Sequence, residues 1–155
     1  MILIQTEDFD LAEVYRQLRT EDPSAGAIVT FTGLVRDFGD VSEVRGLYLE
    51  HYPGMTEAVI GELVTQARQR FEAIGSIRII HRVGELQPEE QIVLVGVTSH
   101  HRAAAFAACE FLMDALKTSA PFWKKELTDQ GGQWVEQKQS DQQRSDRWQQ
   151  SRDDA

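Results

Sequence analysis

At 155 residues the chain has the size of one ordinary domain, long enough to bury a core without disulfide or metal staples. Its formal charge of −9 argues against nucleic acid or an anionic membrane as principal partner, because affinity there comes from neutralising phosphates; any anion site has to be a local basic pocket in an acidic protein. The single cysteine, Cys109, excludes an internal disulfide framework.

In chain order, Ile2 to Gln5 is a short apolar run that predicts a first strand. Asp10 and Glu13 have capping-box spacing, and Phe9, Leu11, Val14, Tyr15 and Leu18 recur at helical intervals, which predicts a helix to about Arg19. Glu21 to Gly26 is a loop. Ala27 to Arg36, AIVTFTGLVR, is rich in β-branched residues and alternates after Val29, the pattern of a strand. Val44 to Tyr52 alternates likewise and is expected to pair with it as a hairpin.

After Pro53-Gly54, the spacing of Val59, Ile60, Leu63, Val64, Ala67, Phe71 and Ile74 predicts a long helix, with Gly75 as its stop. Ile77 to Val83 and Gln91 to Thr98 read as two more strands around a polar loop, Gly84 to Glu90. A helix then runs from Ser99, a residue suited to capping it, to Lys117. The order β-α-β-β-α-β-β-α gives an α+β fold, helices packed on a largely antiparallel sheet. Residues 1–136 read as one domain, and Gln137 to Ala155 as a polar tail expected to be mobile.

No charged leader precedes an apolar run at the N-terminus, and no segment approaches the roughly 20 apolar residues that span a bilayer. A cytosolic location is expected. Four histidines raise a metal site, yet no pair has the helical i, i+4 spacing of a zinc site, so neither a metal nor a cofactor is expected. Cys109, midway along an Ala-rich helix, reads as a buried hydrophobe rather than a nucleophile.

Phe111 to Glu126, FLMDALKTSAPFWKKE, is the most informative stretch. Pro121 ends the helix, because proline lacks a donor and clashes with the preceding turn. The reversal can bring Lys124 back towards Lys117, with Phe122 and Trp123 as an apolar wall. Ammonium groups gathered beside apolar surface repel and lose hydration, which lowers a lysine pKa towards the range of proton transfer. These residues have an ordinary reading as well: Lys117 as a helix C-terminal cation, Lys124 and Lys125 as a solvated face. Arg36 closes a strand, and His101 with Arg102 opens the last predicted helix, whose free amides favour anions. Together these cations suggest a pocket for a phosphorylated or carboxylated ligand. A non-catalytic module binding a phosphate or a peptide tail would need the same cluster without turnover.

TFTGLVR with LEHYPGM, then HRVGELQPEEQIVLVGVTSHHR, FLMDALKTSAPFWKKE and WVEQKQSDQQ, from about Gly26 to Gln143, resemble the catalytic, large-subunit family of molybdopterin synthase. The resemblance implies sulfur transfer in molybdenum cofactor biosynthesis: cyclic pyranopterin monophosphate becomes molybdopterin as two dithiolene sulfurs arrive from the C-terminal thiocarboxylate of a small ubiquitin-like carrier ending in Gly-Gly. It also implies a homodimer of large subunits with one carrier at each end.

Position by position, Lys117 and Lys124 match the family's essential lysines, and Arg36, His101 and Arg102 its substrate-pocket cations. Lys125 and Glu126 continue the second lysine's segment. Leu34 stands where relatives often have lysine, and Lys138 where one has arginine, whose planar fork lysine lacks. Arg102 and Lys117 are fifteen positions apart on one predicted helix, roughly 22 Å at about 1.5 Å per residue. If that helix is unbroken, His101 and Arg102 must serve the lysine pocket of a second copy.

Overall fold

The computed structural model describes residues 1–36, 44–128, 131–134 and 139–153. Its elements run β1 (Ile2–Gln5), α1 (Leu11–Glu21), β2 (Ala27–Leu34), β3 (Val44–His51), α2 (Met55–Arg70), β4 (Ile74–Arg82), β5 (Gly84–Leu86), β6 (Gln91–Ser99), α3 (Arg102–Thr118), β7 (Phe122–Thr128), β8 (Gly131–Trp134) and α4 (Gln139–Asp153). The α+β reading with a largely antiparallel sheet holds, but the described strands divide into two sheets of four, ordered β1-β4-β6-β2 and β5-β3-β7-β8. All pairings are antiparallel except β1 with β4.

The first sheet carries a helix layer on each face. Alternate side chains of a strand point to opposite faces, so Ile77, Ile79, Val93, Val95 and Val97 meet α2 and α3, while Ile80 and Leu94 meet Val14 and Leu18 of α1. Helix α1 starts at Asp10, whose side chain accepts from the Ala12 and Glu13 amides, satisfying orphan donors of the first turn. Along α3, Ala105, Ala108, Cys109, Leu112 and Ala115 are buried. The small residues let the helix lie close to β6.

The hairpin expected between β2 and β3 does not form. β2 pairs with β6, from Ala27 opposite Ser99 to Leu34 opposite Gln91, and β3 pairs with β5 and β7. The apolar face of β3 explains the separation: Leu47 and Leu49 bury themselves with Val35 and Leu86 in a smaller second core. Strand β5 lies within the segment read as a polar loop.

Gly75 does not stop α2, which ends at Arg70 with Phe71 as its C-cap. It lies in β4 instead, where a Cβ would fall 1.9 Å from Asp22 Oδ2 and 2.6 Å from Thr98 Oγ1; the close approach requires glycine. Ser99 is not the N-cap of α3 either. It closes β6, and its hydroxyl accepts from the amide of His101, which is the cap residue.

No element was expected beyond Gln137, and the structure has α4 there, docked on α3. Arg144 Nε donates to Asp114 Oδ1 at 3.0 Å, the Trp148 indole N–H donates to Asp114 Oδ2 at 2.8 Å, and Arg147 pairs with Glu110 at 2.6 Å. The Trp148 ring meets Phe71 and Phe111 edge-on. A helix this polar has no apolar stripe to advertise it and holds through one aromatic anchor and a cluster of charges.

Candidate active site at the junction of the two sheets

Helix α3 ends at Thr118, Ser119 caps it, and Pro121 leads directly into β7. The reversal is tied down by Thr56, fully buried at the start of α2, whose hydroxyl donates to the Pro121 carbonyl at 3.0 Å and accepts from the Tyr52 amide at 2.9 Å. The bend thus hangs on a side chain more than sixty residues away.

β7 lies against β3 with Phe122 opposite His51, Lys124 opposite Leu49, Lys125 opposite Tyr48 and Glu126 opposite Leu47. Directly opposed residues of an antiparallel pair share a face. Phe122, Lys124 and Glu126 therefore lie on the face that buries Leu47 and Leu49, and Lys125 lies on the other. Trp123 also takes the outer face, 5.8 Å from Tyr52 and 45% exposed. Phe122 and Trp123, expected together as one apolar wall, therefore lie on opposite faces of β7.

Phe122 turns inward onto His81 of β4, ring centroids 3.9 Å apart and planes 17° from parallel. This stack spans the gap between the two sheets. His81 Nδ1 lies 2.9 Å from the Arg82 carbonyl, a contact that assigns the proton to Nδ1. Burial, followed by the nearby positive charge of Lys117 and then His51, pushes the imidazole down to about 4 despite that hydrogen bond. Lys117, at the end of α3, acts on this ring pair through its charge, and Lys124 lies two residues past Phe122 on the same face of β7.

Lys117 is exposed and lines a cavity of about 490 Å³ together with Phe31 of β2, Phe106, Cys109 and Met113 of α3, and Arg144 of α4. Cys109 is 3% exposed, and burial pushes its thiol up to about 11, the state of a packing residue rather than a nucleophile.

The remaining cations divide between the two ends of the first sheet. Arg36 follows Val35, whose amide donates to the Glu90 carbonyl at 2.9 Å where β6 begins. Because α3 runs back along β6, its Lys117 end returns to that same end. His101 and Arg102, both exposed, stand at the opposite end, where β6 finishes. Helix α3 is unbroken from Arg102 to Thr118, so the separation of roughly 22 Å between Arg102 and Lys117 stands. Leu34 is 52% exposed at the end of β2, near Arg36. Lys138 lies outside the described residues.

Sequence reasoning overlooked His81 and Thr56. A histidine on a strand reads as ordinary core, and a threonine at a helix start reads as local capping. The one available signal is that HRVGEL and LEHYPGM, the blocks holding His81 and preceding Thr56, both belong to the resemblance.

Comparison with known proteins agrees with this architecture. The family model described as MoaE protein matches residues 4–119. The molybdopterin synthase catalytic subunit of Vibrio cholerae is 51% identical over 147 residues, covering 95% of this chain and 97% of that one. Among solved structures, the molybdopterin biosynthesis MoaE protein of Burkholderia ambifaria superposes with a TM-score of 0.82 at 47% identity, covering 96% of this chain and 97% of that one. Molybdopterin synthase from Staphylococcus aureus gives 0.79 at 31% identity, over 86% and 96% of the respective chains. A chain whose relatives match it nearly end to end, and whose distinctive lysine-bearing bend lies within the shared fold, belongs to the MoaE family, that of the catalytic subunits of molybdopterin synthase.

Proposed function

We propose that the protein catalyses the sulfur-transfer step of molybdenum cofactor biosynthesis, with Lys117 and Lys124 as its catalytic pair. What supports this reading is that Lys117, at the end of α3, acts electrostatically on His81, and that the register of β7 puts Lys124 on the same face as Phe122, the ring stacked on His81. A thiocarboxylate and a phosphorylated pterin are both anions, and two ammonium groups beside apolar surface offset the repulsion of bringing them together. Once the thiocarboxylate sulfur has bonded to the pterin, water adds to the carbonyl of that thioester, Lys124 stabilises the charge that develops on the oxygen, and collapse breaks the C–S bond, leaving sulfur on the pterin and the carrier as a carboxylate. Lys117 donates or accepts the proton, or forms a transient covalent link to the carrier.

Arg36, His101 and Arg102 bind the cyclic phosphate and pterin in this reading. Lys125, Glu126 and Lys138 join the substrate-binding set on the resemblance alone. The length of α3 supports a composite site, with His101 and Arg102 of one copy completing the lysine pocket of another in a homodimer. The partner is a small ubiquitin-like carrier whose Gly-Gly terminus enters that pocket. Among the described residues no helix is long and apolar enough to cross a membrane; a cytosolic location accords with a single cysteine kept as a buried thiol.

The test mixes the protein with thiocarboxylated carrier and cyclic pyranopterin monophosphate and follows dithiolene product. Lys117→Ala abolishes product while the carrier still binds. Near-normal turnover by that variant refutes the role, and a wild-type protein that binds carrier without product is a binding module instead.

A further inference from the structure

We infer that His81 is a positioning residue for the sulfur-transfer reaction: its ring is the fixed shelf against which Phe122 sets the distance between Lys117 and Lys124. The inference rests on the lysine-pair reading above and adds to it a residue on a third element.

Lys117 and Lys124 belong to different parts of the fold. One ends a helix packed on the first sheet, and the other sits within the second sheet. The segment between them is held at its start by the Thr118 hydroxyl donating to Ser145 Oγ and at its end by the ladder with β3 and the Trp123–Tyr52 contact, and two further contacts tie it to the first sheet and α2. The first is the hydrogen bond from Thr56 to the Pro121 carbonyl, which holds the backbone of the bend. The second is the Phe122 ring on His81, which fixes how deep β7 sits against the first sheet. Phe122 lies five residues after one lysine and two before the other, on the same face of β7 as Lys124. A shift of that ring therefore moves Lys124 relative to Lys117.

The shelf itself is rigid. His81 is opposite Ile4 of β1 and Val93 of β6, so β4 is paired on both sides at that point. Its Nδ1–H donates to the Arg82 carbonyl, which sets the ring plane. Arg82 in turn is buried, its guanidinium donating to the Thr6 carbonyl at 3.0 Å and to the Gln91 carbonyl at 3.0 Å. A planar, uncharged ring is what the place requires, because the Lys117 ammonium is near enough to act on it and a second cation there would repel that ammonium. The low basicity of His81 agrees with that requirement.

The proposal separates planarity from imidazole chemistry. His81→Phe keeps a flat, neutral surface for Phe122, and His81→Ala removes it. The expected result in the dithiolene assay is a kcat roughly ten- to a hundredfold lower for His81→Ala, the scale of a small misplacement of reacting groups, with KM for the carrier unchanged and most of kcat restored in His81→Phe. Phe122→Leu, which removes the stack from the other side, gives the same kcat loss if His81→Ala fails to fold.

A second readout is independent of turnover. A short amine-reactive crosslinker joins Lys117 to Lys124 in the wild type and in His81→Phe, detected by peptide mass spectrometry, and the yield falls in His81→Ala. If the wild type makes no product, the functional reading fails. If it makes product and His81→Ala matches it in kcat and crosslink yield, the positioning role fails. Equal kcat losses in His81→Phe and His81→Ala also overturn it, by showing that the imidazole itself is needed.

Discussion

The stack at the seam gives the protein a pH dependence that can be worked out from one residue. His81 is held at about 4, where an unperturbed histidine titrates near 6.5. Between those values the unfolded chain binds a proton that the folded chain refuses, so stability rises with pH across that window and is lost as pH falls through it. A displacement of about 2.5 pH units at 1.36 kcal/mol each gives at most about 3 kcal/mol, lost progressively from near pH 6.5 and fully below pH 4.

The assay is urea unfolding at a series of pH values for the wild type and His81→Phe, in which the titrating group is gone. Asp8, held low chiefly by the Gln91 amide, Asp22, held low by the Ser24 and Thr98 hydroxyls, and Glu57, held low by backbone amides, remain in both proteins and cancel. The difference in stability between the two proteins is flat above about pH 6.5 and moves against the wild type by up to about 3 kcal/mol by pH 4. Parallel curves over the whole range refute the assignment of a neutral, proton-refusing ring at this position.

Three further outcomes follow from other parts of the structure. Gly75→Ala forces a methyl group onto Asp22 Oδ2 and Thr98 Oγ1 and breaks their 2.7 Å hydrogen bond, lowering unfolding free energy by about 2–3 kcal/mol in urea titration. Cys109 stays unlabelled by a thiol reagent in the native protein and reacts on unfolding, because its thiol is buried and held at about 11. Trp148→Ala removes the aromatic anchor of α4, so amide exchange in Gln139–Asp153 accelerates while the protection of β4 and β6 is unchanged; unaltered exchange in α4 would show that the charges at Asp114 suffice.

What the sequence made legible was local. Asp10 with Glu13, the β-branched run from Ala27 to Arg36 and the helical spacing that starts at Val59 each carry a local signal, and an element forms at each, though β2 ends at Leu34 and α2 at Arg70, short of the spans read from sequence. Pairing was not legible, because the partners of β2 and β3 are set by which strands bury the matching faces; β6 for β2 and β7 for β3 come from some sixty to eighty residues away. β7 itself was hidden by three consecutive charges, Lys124, Lys125 and Glu126, which mask the alternation that its ladder with β3 imposes. Gly75 illustrates the limit from the other side: a glycine after an apolar helix reads as a stop signal, and it is required instead for close packing against Asp22.

Lys117 and Lys124 stand out in the sequence because proline announces the bend between them. His81 does not, because nothing local distinguishes a histidine proposed to position a site from one that fills a core.

A composite site draws its cations from two copies of the chain, and subunit exchange tests that most directly. Lys117→Ala and Arg102→Ala, each inactive as a pure dimer, are mixed under conditions that exchange subunits, and dithiolene product is measured. Random exchange makes half the dimers mixed, each with one intact site of two, so activity returns to about a quarter of the wild-type value. A mixture that stays as inactive as its two parents contradicts the composite site.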